Sequence, residues 1–221
     1  MSRQNSDGEP EKAVVYVIDD DRSVREAVED LLASVALEAR VFGSVQEFLD
    51  QDVADAPACM VLDVRMPGQS GMDFLSHMQE LGLHMPTIMI TGHGDIAMGV
   101  KAMKDGAIEF LTKPFRDQDL LDAIHHGIET DRARRALEAQ ASELQKRWAR
   151  LSQGEHDVAR LVAQGLLNKQ IAGELGLSEI TVKVRRGHVM RKLEVRTLAE
   201  LVRVADRIEA TTRSHQKPAS L

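Results

Sequence analysis

In the first 127 residues, short apolar runs alternate with longer segments whose apolar residues recur every three or four positions. The short runs are rich in β-branched residues and end at Gly, Pro or acidic residues, as buried strands do. The longer segments have the spacing of amphipathic helices. This alternation predicts a parallel sheet with helices on both faces. The five predicted strands are 13–18, 39–42, 58–62, 86–90 and 107–111.

Pairs of residues that cap helices mark where several of the predicted helices begin. A Ser or Thr followed three positions later by Glu can satisfy the free N–H groups at a helix start. Such pairs predict helix starts at Ser23 and Glu26, Ser44 and Glu47, Ser152 and Glu155, and Thr197 and Glu200. Single caps are predicted at Asp117, Asn168 and Ser178.

Residues 128–151 contain many charges and no Pro or Gly, which favours a helix joining two domains. Its apolar residues recur at heptad-like spacing. Two interpretations stay open: a linker helix that packs on its own domains, or a short dimer seam or rigid signalling helix. The stripe consists of Leu137, Ala141, Leu144, Trp148 and Leu151.

The last part of the chain predicts four helices, and the second and third are joined by a tight turn at Gly176 and Leu177. Helix, short turn, helix is the arrangement of a helix-turn-helix domain. The third helix carries polar and cationic residues away from its buried face and could enter the major groove of DNA. The alternative is a solvated basic face on a small bundle. The residues concerned are Lys183, Val184, Gly187, His188 and Arg191.

Acidic and basic residues are unevenly divided along the chain. Residues 1–127 hold 23 Asp and Glu against 10 Lys and Arg, whereas residues 128–221 hold 12 against 18. This division indicates two domains with different partners, the second weakly suggestive of nucleic acid. One cysteine, Cys59, excludes an internal disulfide, and no segment resembles a membrane span, so we expect a cytoplasmic protein without membrane partners.

Polar residues follow four of the predicted strands, and parallel strands bring such ends to one edge of the sheet. Three carboxylates at this edge would repel each other unless a cation lay among them. Oxygen ligands favour Mg²⁺, and the set suits phosphoryl transfer onto Asp63. The alternative for Asp63 is a plain turn role. His93 lies near this edge and is interpreted as a solvated loop residue. The converging residues are Asp19, Asp20, Asp63, Thr91 and Lys113.

These motifs resemble a bacterial response-regulator receiver domain over about residues 12–127. They are Asp19-Asp20, Asp63 with Met66-Pro67-Gly68, Thr91-Gly92, and Phe110 to Phe115 with its Thr112-Lys113-Pro114 centre. The resemblance implies a CheY-like α/β doubly wound fold with strand order 2-1-3-4-5. It also implies that Asp63 is the phosphoacceptor and that Asp19, Asp20, Asp63 and the Arg65 carbonyl hold Mg²⁺. Thr91 and Lys113 would contact the phosphoryl group, Phe110 would move with Thr91, and the Lys113–Pro114 bond would be cis.

The second half resembles the LuxR-type DNA-binding domain over about residues 150–209, through residues 162–172, 177–178, 181–184, 192–193 and 196–197. Two residues depart from the pattern: Arg185 replaces a common histidine, and Gly154 replaces a common basic residue. Gly187 offers no side chain to the groove. The resemblance implies that Lys183 and Val184 face bases. The other expected DNA contacts are Asn168, Lys169, Ser178, Thr181, Arg186, His188 and Lys192.

Together the halves resemble the NarL/FixJ family, with 101–107 close to its FixJ branch. The expected domains are a receiver at 13–127, a helical linker at 128–150, and an all-α DNA-binding domain at 151–209, with flexible tails at 1–12 and 210–221. The resemblance implies a transcription factor that a sensor histidine kinase phosphorylates, which promotes dimerisation and promoter binding, with RNA polymerase as a further candidate partner. It would be a switch and not a turnover enzyme. The alternatives are a phosphorylation-independent DNA binder with a structural receiver and an aspartyl-phosphate phosphatase.

Overall fold

The computed structural model describes residues 12–92 and 96–215, so His93, nearly all of the first predicted tail and half of the second lie outside the described residues. The chain forms two compact units that divide between Ala136 and Leu137, and each is described by itself. The predicted domain bounds stay predictions. The last helix extends to His215, past the end expected at residue 209.

The first unit is built on a five-stranded parallel sheet in the order β2-β1-β3-β4-β5. The three inner strands are buried along their whole length, and the two edge strands are partly exposed. The predicted fold and strand order are confirmed. The strands are β1 Val14–Ile18, β2 Glu38–Phe42, β3 Ala58–Asp63, β4 Thr87–Thr91 and β5 Glu109–Thr112.

Helices cover both faces of the sheet, and each face has its own apolar core. In one core the aromatic rings of Tyr16, Phe42 and Phe48 contact one another, and the ring of Phe74 contacts that of Phe48. The other is aliphatic and includes Cys59, which is fully buried. The helices are α1 Arg22–Ser34, α2 Val45–Leu49, α3 Gly71–His77, α4 Ile96–Lys104 and α5 Asp117–Ala149.

The caps of these helices differ in part from the prediction. The Ser44 hydroxyl accepts a hydrogen bond from the Glu47 N–H at 3.2 Å, as predicted. The predicted cap at Ser23 is wrong, because α1 begins one residue after Asp21 and the Asp21 carboxylate accepts from the Ser23 N–H at 2.8 Å. An Asp at that position is as good a cap as Ser, and the pattern alone did not separate them. Asp117 is the first residue of α5 and not its cap.

Helix α4 has the predicted spacing of apolar residues but does not bury them. Ile96, Val100 and Met103 are 88%, 49% and 48% exposed. The buried residue of this helix is the small Ala102. The side of α4 away from the sheet is therefore an apolar surface.

Helix α5 continues without interruption through the predicted linker to Ala149. Its buried residues end at Asp131, whose carboxylate accepts a hydrogen bond from the Ala58 N–H at the start of β3, at 3.0 Å. A Cβ at Gly127 would lie 2.5 Å from the Cys59 sulfur, so the absence of a side chain there lets α5 approach β3 closely. Of the predicted stripe, Leu137 is exposed and Trp148 packs on the core of the second unit.

The second unit is a bundle of four further helices around one apolar core. The predicted cap of the third of these is confirmed, since the Ser178 hydroxyl accepts from the Thr181 N–H at 3.1 Å. The helix predicted to be capped by Asn168 is instead preceded by Leu167, whose N–H donates to the Gln170 side chain at 2.8 Å. The Gln170 oxygen thus satisfies the backbone group that lies just before the helix. The helices are α6 Gln153–Ala163, α7 Asn168–Leu175, α8 Glu179–Lys192 and α9 Leu198–His215.

Between α7 and α8, Gly176 adopts a left-handed conformation with φ of 65° and ends α7, as the predicted tight turn requires. Over residues 12–92 and 96–215, none of the helices combines the length and the apolar character that crossing a bilayer requires.

Candidate functional site

The strand ends of the first unit bring the predicted carboxylates together. Asp19 follows β1 and is fully buried, Asp63 ends β3 and is nearly so, and Asp20 is exposed. One oxygen from each of these three side chains can be chosen so that all lie within 4.8 Å of one another. Such a group of oxygens matches the ligand preference of a hard divalent cation such as Mg²⁺.

Lys113 follows β5 and reaches the same place. Its Nζ lies 2.5 Å from Asp19 Oδ2 and 3.5 Å from Asp63 Oδ2, so its closer partner is Asp19. Burial raises the pKa of Asp63, the neighbouring Asp19 carboxylate raises it further, and Lys113 offsets part of both effects. The ammonium group is thus close enough to neutralise new negative charge on Asp63.

The two predicted switch residues flank this cluster. Thr91 is fully buried at the end of β4, and its carbonyl accepts a hydrogen bond from the Lys113 N–H at 2.7 Å. Phe110 is partly buried, and a Cβ at Gly99 of α4 would lie 3.3 Å from its ring. The Lys113–Pro114 bond is cis, as the resemblance implied.

Gly71 is a site residue that the sequence did not reveal. A Cβ at this position would lie 1.9 Å from the carbonyl oxygen of Asp63, and the Gly71 N–H donates to the Val64 carbonyl at 3.0 Å. Only a residue without a side chain lets the start of α3 lie against the backbone of Asp63. The one signal available was a glycine at the beginning of a predicted helix.

In the second unit, helix α8 separates its residues by face. At about 100° per residue, the side opposite the buried Val182 and Val189 carries positions 180, 184, 187 and 191. Lys183 and His188 lie on either flank of that outer face. Of the expected DNA contacts on α8, Lys183, Val184 and His188 therefore lie on or beside its outer face.

Arg186 and Lys192 instead have partners within the unit. The Arg186 guanidinium donates to the Asn168 side chain at 3.3 Å. Lys192 Nζ donates to Glu155 at 2.6 Å and to the Arg150 carbonyl at 3.2 Å. Their expected contacts with DNA stay predictions.

Glu155, which accepts the hydrogen bond from Lys192, is buried. Its carboxylate also accepts from the Ser152 N–H at 2.7 Å, and His188 Nδ1 lies 3.6 Å away. Burial alone would raise the pKa of Glu155. The hydrogen bonds from Lys192 and Ser152 outweigh burial and hold this pKa at about 2. Glu155 was predicted only as a capping residue, and its pairing with Lys192, 37 positions away, was missed.

The remaining expected DNA contacts lie at the starts of α7 and α8. Lys169 is exposed, and Asn168 is partly exposed. The hydroxyls of Ser178 and Thr181 lie 2.9 Å apart at the first turn of α8. Helix N-termini present free N–H groups, which suits contacts with phosphate oxygens.

The two departures from the LuxR-type pattern lie against each other. A Cβ at Gly154 would be 2.4 Å from Nη1 of Arg185, so the guanidinium occupies the space above this glycine at the start of α6. Ile180, which the sequence analysis did not single out, is 77% exposed on the outer face of α8. It lies one turn before Val184, and that spacing was the available signal.

Comparison with known proteins agrees with this architecture. Residues 15–125 match the family described as response regulator receiver domain, and residues 149–205 match bacterial regulatory proteins, luxR family. Nodulation protein W of Bradyrhizobium diazoefficiens is 51% identical over 195 residues, which cover 88% of this chain and 86% of that protein. The transcriptional regulatory protein FixJ of Azorhizobium caulinodans is 44% identical, over 89% and 93% of the two chains.

Among solved structures, the response regulator StyR is similar over 89% of this chain and 99% of its own, with 45% identity and a TM-score of 0.80. The order of the motifs, the sheet topology and these matches point to the same group of proteins. The chain belongs to the NarL/FixJ family of two-component response regulators, in which a receiver domain is joined to a LuxR-type DNA-binding domain.

Proposed function

We propose that this protein is a phosphorylation-controlled transcription factor whose phosphoacceptor is Asp63 and whose phosphodonor is a sensor histidine kinase. The observation that carries the proposal is the convergence of Asp19, Asp20, Asp63 and Lys113 at one edge of the sheet. This cluster occurs in the same chain as a helix-turn-helix unit.

In the proposed reaction, a carboxylate oxygen of Asp63 forms a bond to phosphorus as the phosphorus–nitrogen bond to the kinase histidine breaks. Asp19, Asp20, Asp63 and the Arg65 carbonyl would hold Mg²⁺, which when bound supplies charge neutralisation. Lys113 is already 3.5 Å from Asp63 and would pair with the new phosphoryl oxygens. Thr91 would then donate its hydroxyl hydrogen to the same group, and Phe110 would move with it.

The output surface we propose is the side of α4 and β5. Ile96, Val100 and Met103 form an exposed apolar surface on α4, and Gly99 of the same helix is the residue whose Cβ, if present, would lie 3.3 Å from the Phe110 ring. A shift of Thr91 and Phe110 would alter this surface and favour a homodimer. Such a dimer would bind two DNA half-sites of a promoter, in the cytoplasm. RNA polymerase is a further partner that we propose for the DNA-bound dimer.

Two alternatives differ in what they expect of Asp63. A phosphorylation-independent DNA binder would keep its affinity when Asp63 is replaced. A phosphatase of the haloacid-dehalogenase type would need a second acid two positions after the nucleophile, where this chain has Arg65. An arginine in place of this second acid favours a switch over a turnover enzyme.

The first test is the intact mass of the protein after incubation with Mg²⁺ and acetyl phosphate. Wild type and the control Asp52→Asn, which alters an exposed acid away from the cluster, should each gain one phosphoryl group. Asp63→Asn should gain none, and a chelator added beforehand should prevent the gain on wild type. A phosphoryl group on Asp63→Asn would contradict the assignment of the phosphoacceptor.

DNA affinity then separates the switch from the phosphorylation-independent binder. With the phosphodonor present, wild type should bind selected duplexes more tightly than Asp63→Asn does. Equal affinities with and without the donor would instead support a structural receiver.

A further inference from the structure

The outer face of α8 is apolar at its beginning and open in its middle. Ile180 and Val184, one helical turn apart, are 77% and 51% exposed. Gly187 continues the same face, and a Cβ built there would meet no atom of residues 12–92 or 96–208 within 4 Å. Arg191 ends the face one turn later. Single exposed apolar side chains are common, whereas neighbouring ones rimmed by polar residues are typical of surfaces that bind a partner.

The surroundings of this face are those of a polyanion site. Lys183 flanks the two apolar residues, Arg191 follows them, and Lys169 is exposed at the start of α7. Cations around an apolar strip argue against an apolar protein partner and for DNA, whose major groove presents both phosphates and methyl groups. Thymine is the base that carries a methyl group at the floor of that groove.

Val184 is already expected to face a base. We propose that Ile180 also determines sequence preference, that Ile180 and Val184 pack on the 5-methyl groups of two thymines, and that Gly187 lets α8 approach the bases closely enough for this contact. The proposal rests on the DNA-binding function proposed above. Four residues of helix span about 6 Å, which is about two base-pair steps at 3.4 Å each. The two thymines should therefore lie about two base pairs apart in each half-site.

The experiment uses the full chain with Mg²⁺ and acetyl phosphate, and duplexes selected by it from a random-sequence library. Each thymine of a selected duplex is then replaced in turn by deoxyuridine, which pairs identically but lacks the methyl group. We expect two positions per half-site at which this replacement weakens binding, each by about fourfold, the value of one buried methyl group.

A double-mutant cycle then tests whether Ile180 contacts one of these thymines. Ile180→Ala should weaken binding to the thymine duplex and should have little further effect once its thymine is replaced by deoxyuridine. Ile180→Thr, which keeps one methyl group, should lose less. Leu198→Ala, which shortens an exposed apolar side chain at the start of α9, is the matched control and should leave affinity unchanged.

Gly187→Ala tests the close approach. The added methyl group meets nothing among the described residues of the unit, so folding should be retained or improved, whereas DNA affinity should fall at least tenfold. Unchanged affinity of Gly187→Ala would contradict close approach of the helix.

The remaining outcomes separate this inference from the function on which it rests. If wild type selects duplexes but deoxyuridine has no effect, or if the effects of Ile180→Ala and deoxyuridine simply add, methyl contact is wrong while DNA binding stands. If wild type enriches no sequence at all, both proposals are wrong.

Discussion

At the scale of single residues, the second unit shows that a cation on a recognition helix need not be there for DNA. Lys192 was expected to contact DNA because of the family resemblance, yet its ammonium group is hydrogen-bonded to a carboxylate that is almost fully buried. A buried carboxylate without a partner is costly, because the charge has lost its water. Lys192 therefore has a structural role whether or not it also contacts phosphate.

We expect Lys192→Ala to lower the free energy of unfolding of the second unit by on the order of 2 kcal/mol, because it removes the main partner of Glu155. The matched control is Lys169→Ala, which removes an exposed lysine and should leave stability within about 0.5 kcal/mol. Urea unfolding followed by Trp148 fluorescence measures both. Equal stabilities of the two variants would show that the pair contributes little.

The pH dependence of stability provides a second check on the same pair. Because the folded-state pKa of Glu155 is depressed to about 2, its stabilising contribution is present above the ordinary Glu pKa and is lost as pH falls towards 2. In the Lys192→Ala variant, the free energy of unfolding should therefore fall less than in wild type as pH is lowered towards 2.

The contact between Gly154 and Arg185 predicts a change of sign in a double-mutant cycle. Replacing Gly by Ala within a helix normally stabilises it, by up to about 1 kcal/mol. In wild type, Gly154→Ala must displace the Arg185 guanidinium and should be neutral or destabilising. In the Arg185→Ala background the same change should stabilise. The same effect in both backgrounds, measured by urea unfolding, would show that the two residues are independent.

At the scale of elements, α5 is held against the start of β3 by a few particular side chains. The Asp131 carboxylate accepts from the Ala58 N–H and is paired with Arg134 at 2.6 Å. Arg135 forms a second ion pair, with Asp55. Asp131 thus ties α5 to the strand whose other end carries Asp63.

We expect Asp131→Ala to destabilise the first unit by about 1–3 kcal/mol, since the buried Ala58 N–H would lose its acceptor. Asp131→Asn retains an oxygen that can accept this hydrogen bond and should lose less. Glu129→Ala, which breaks an exposed ion pair on the same helix, is the control and should change stability by less than about 1 kcal/mol. Circular dichroism during urea unfolding measures all three, and an Asp131→Ala variant as stable as the control would refute the proposed tie.

The elements themselves were largely predictable, and their tertiary partners were not. Runs of apolar residues predicted the strands, because burial on both faces leaves a clear pattern. The order of the strands in the sheet was predicted only through the family resemblance. The caps at Asp21 and Leu167 differed by one or two positions, since several neighbouring residues could serve. The partners of Asp131 and Glu155 lie far along the chain, and only the packed fold brings them together.

At the scale of the whole molecule, the chain joins an acidic half to a basic half, and each half carries its own chemistry. The excess of acids in residues 1–127 includes the carboxylate cluster, and the excess of bases in residues 128–221 includes Lys183 and Arg191. This division could be predicted from the sequence. The exposure of the apolar residues of α4 could not be predicted, because their spacing alone does not show whether another element covers them.

The single cysteine and the single tryptophan fall on opposite sides of this division. Cys59 is fully buried in β3, where burial raises the pKa of its thiol to about 12, so it is inert to alkylation until the first unit opens. Trp148 packs on the core of the second unit, with its ring 5.1 Å from that of His156. The natural protein therefore carries one cysteine that a thiol reagent can modify and one tryptophan whose fluorescence can be followed. With these two residues, the opening of each half can be timed separately without any engineered probe.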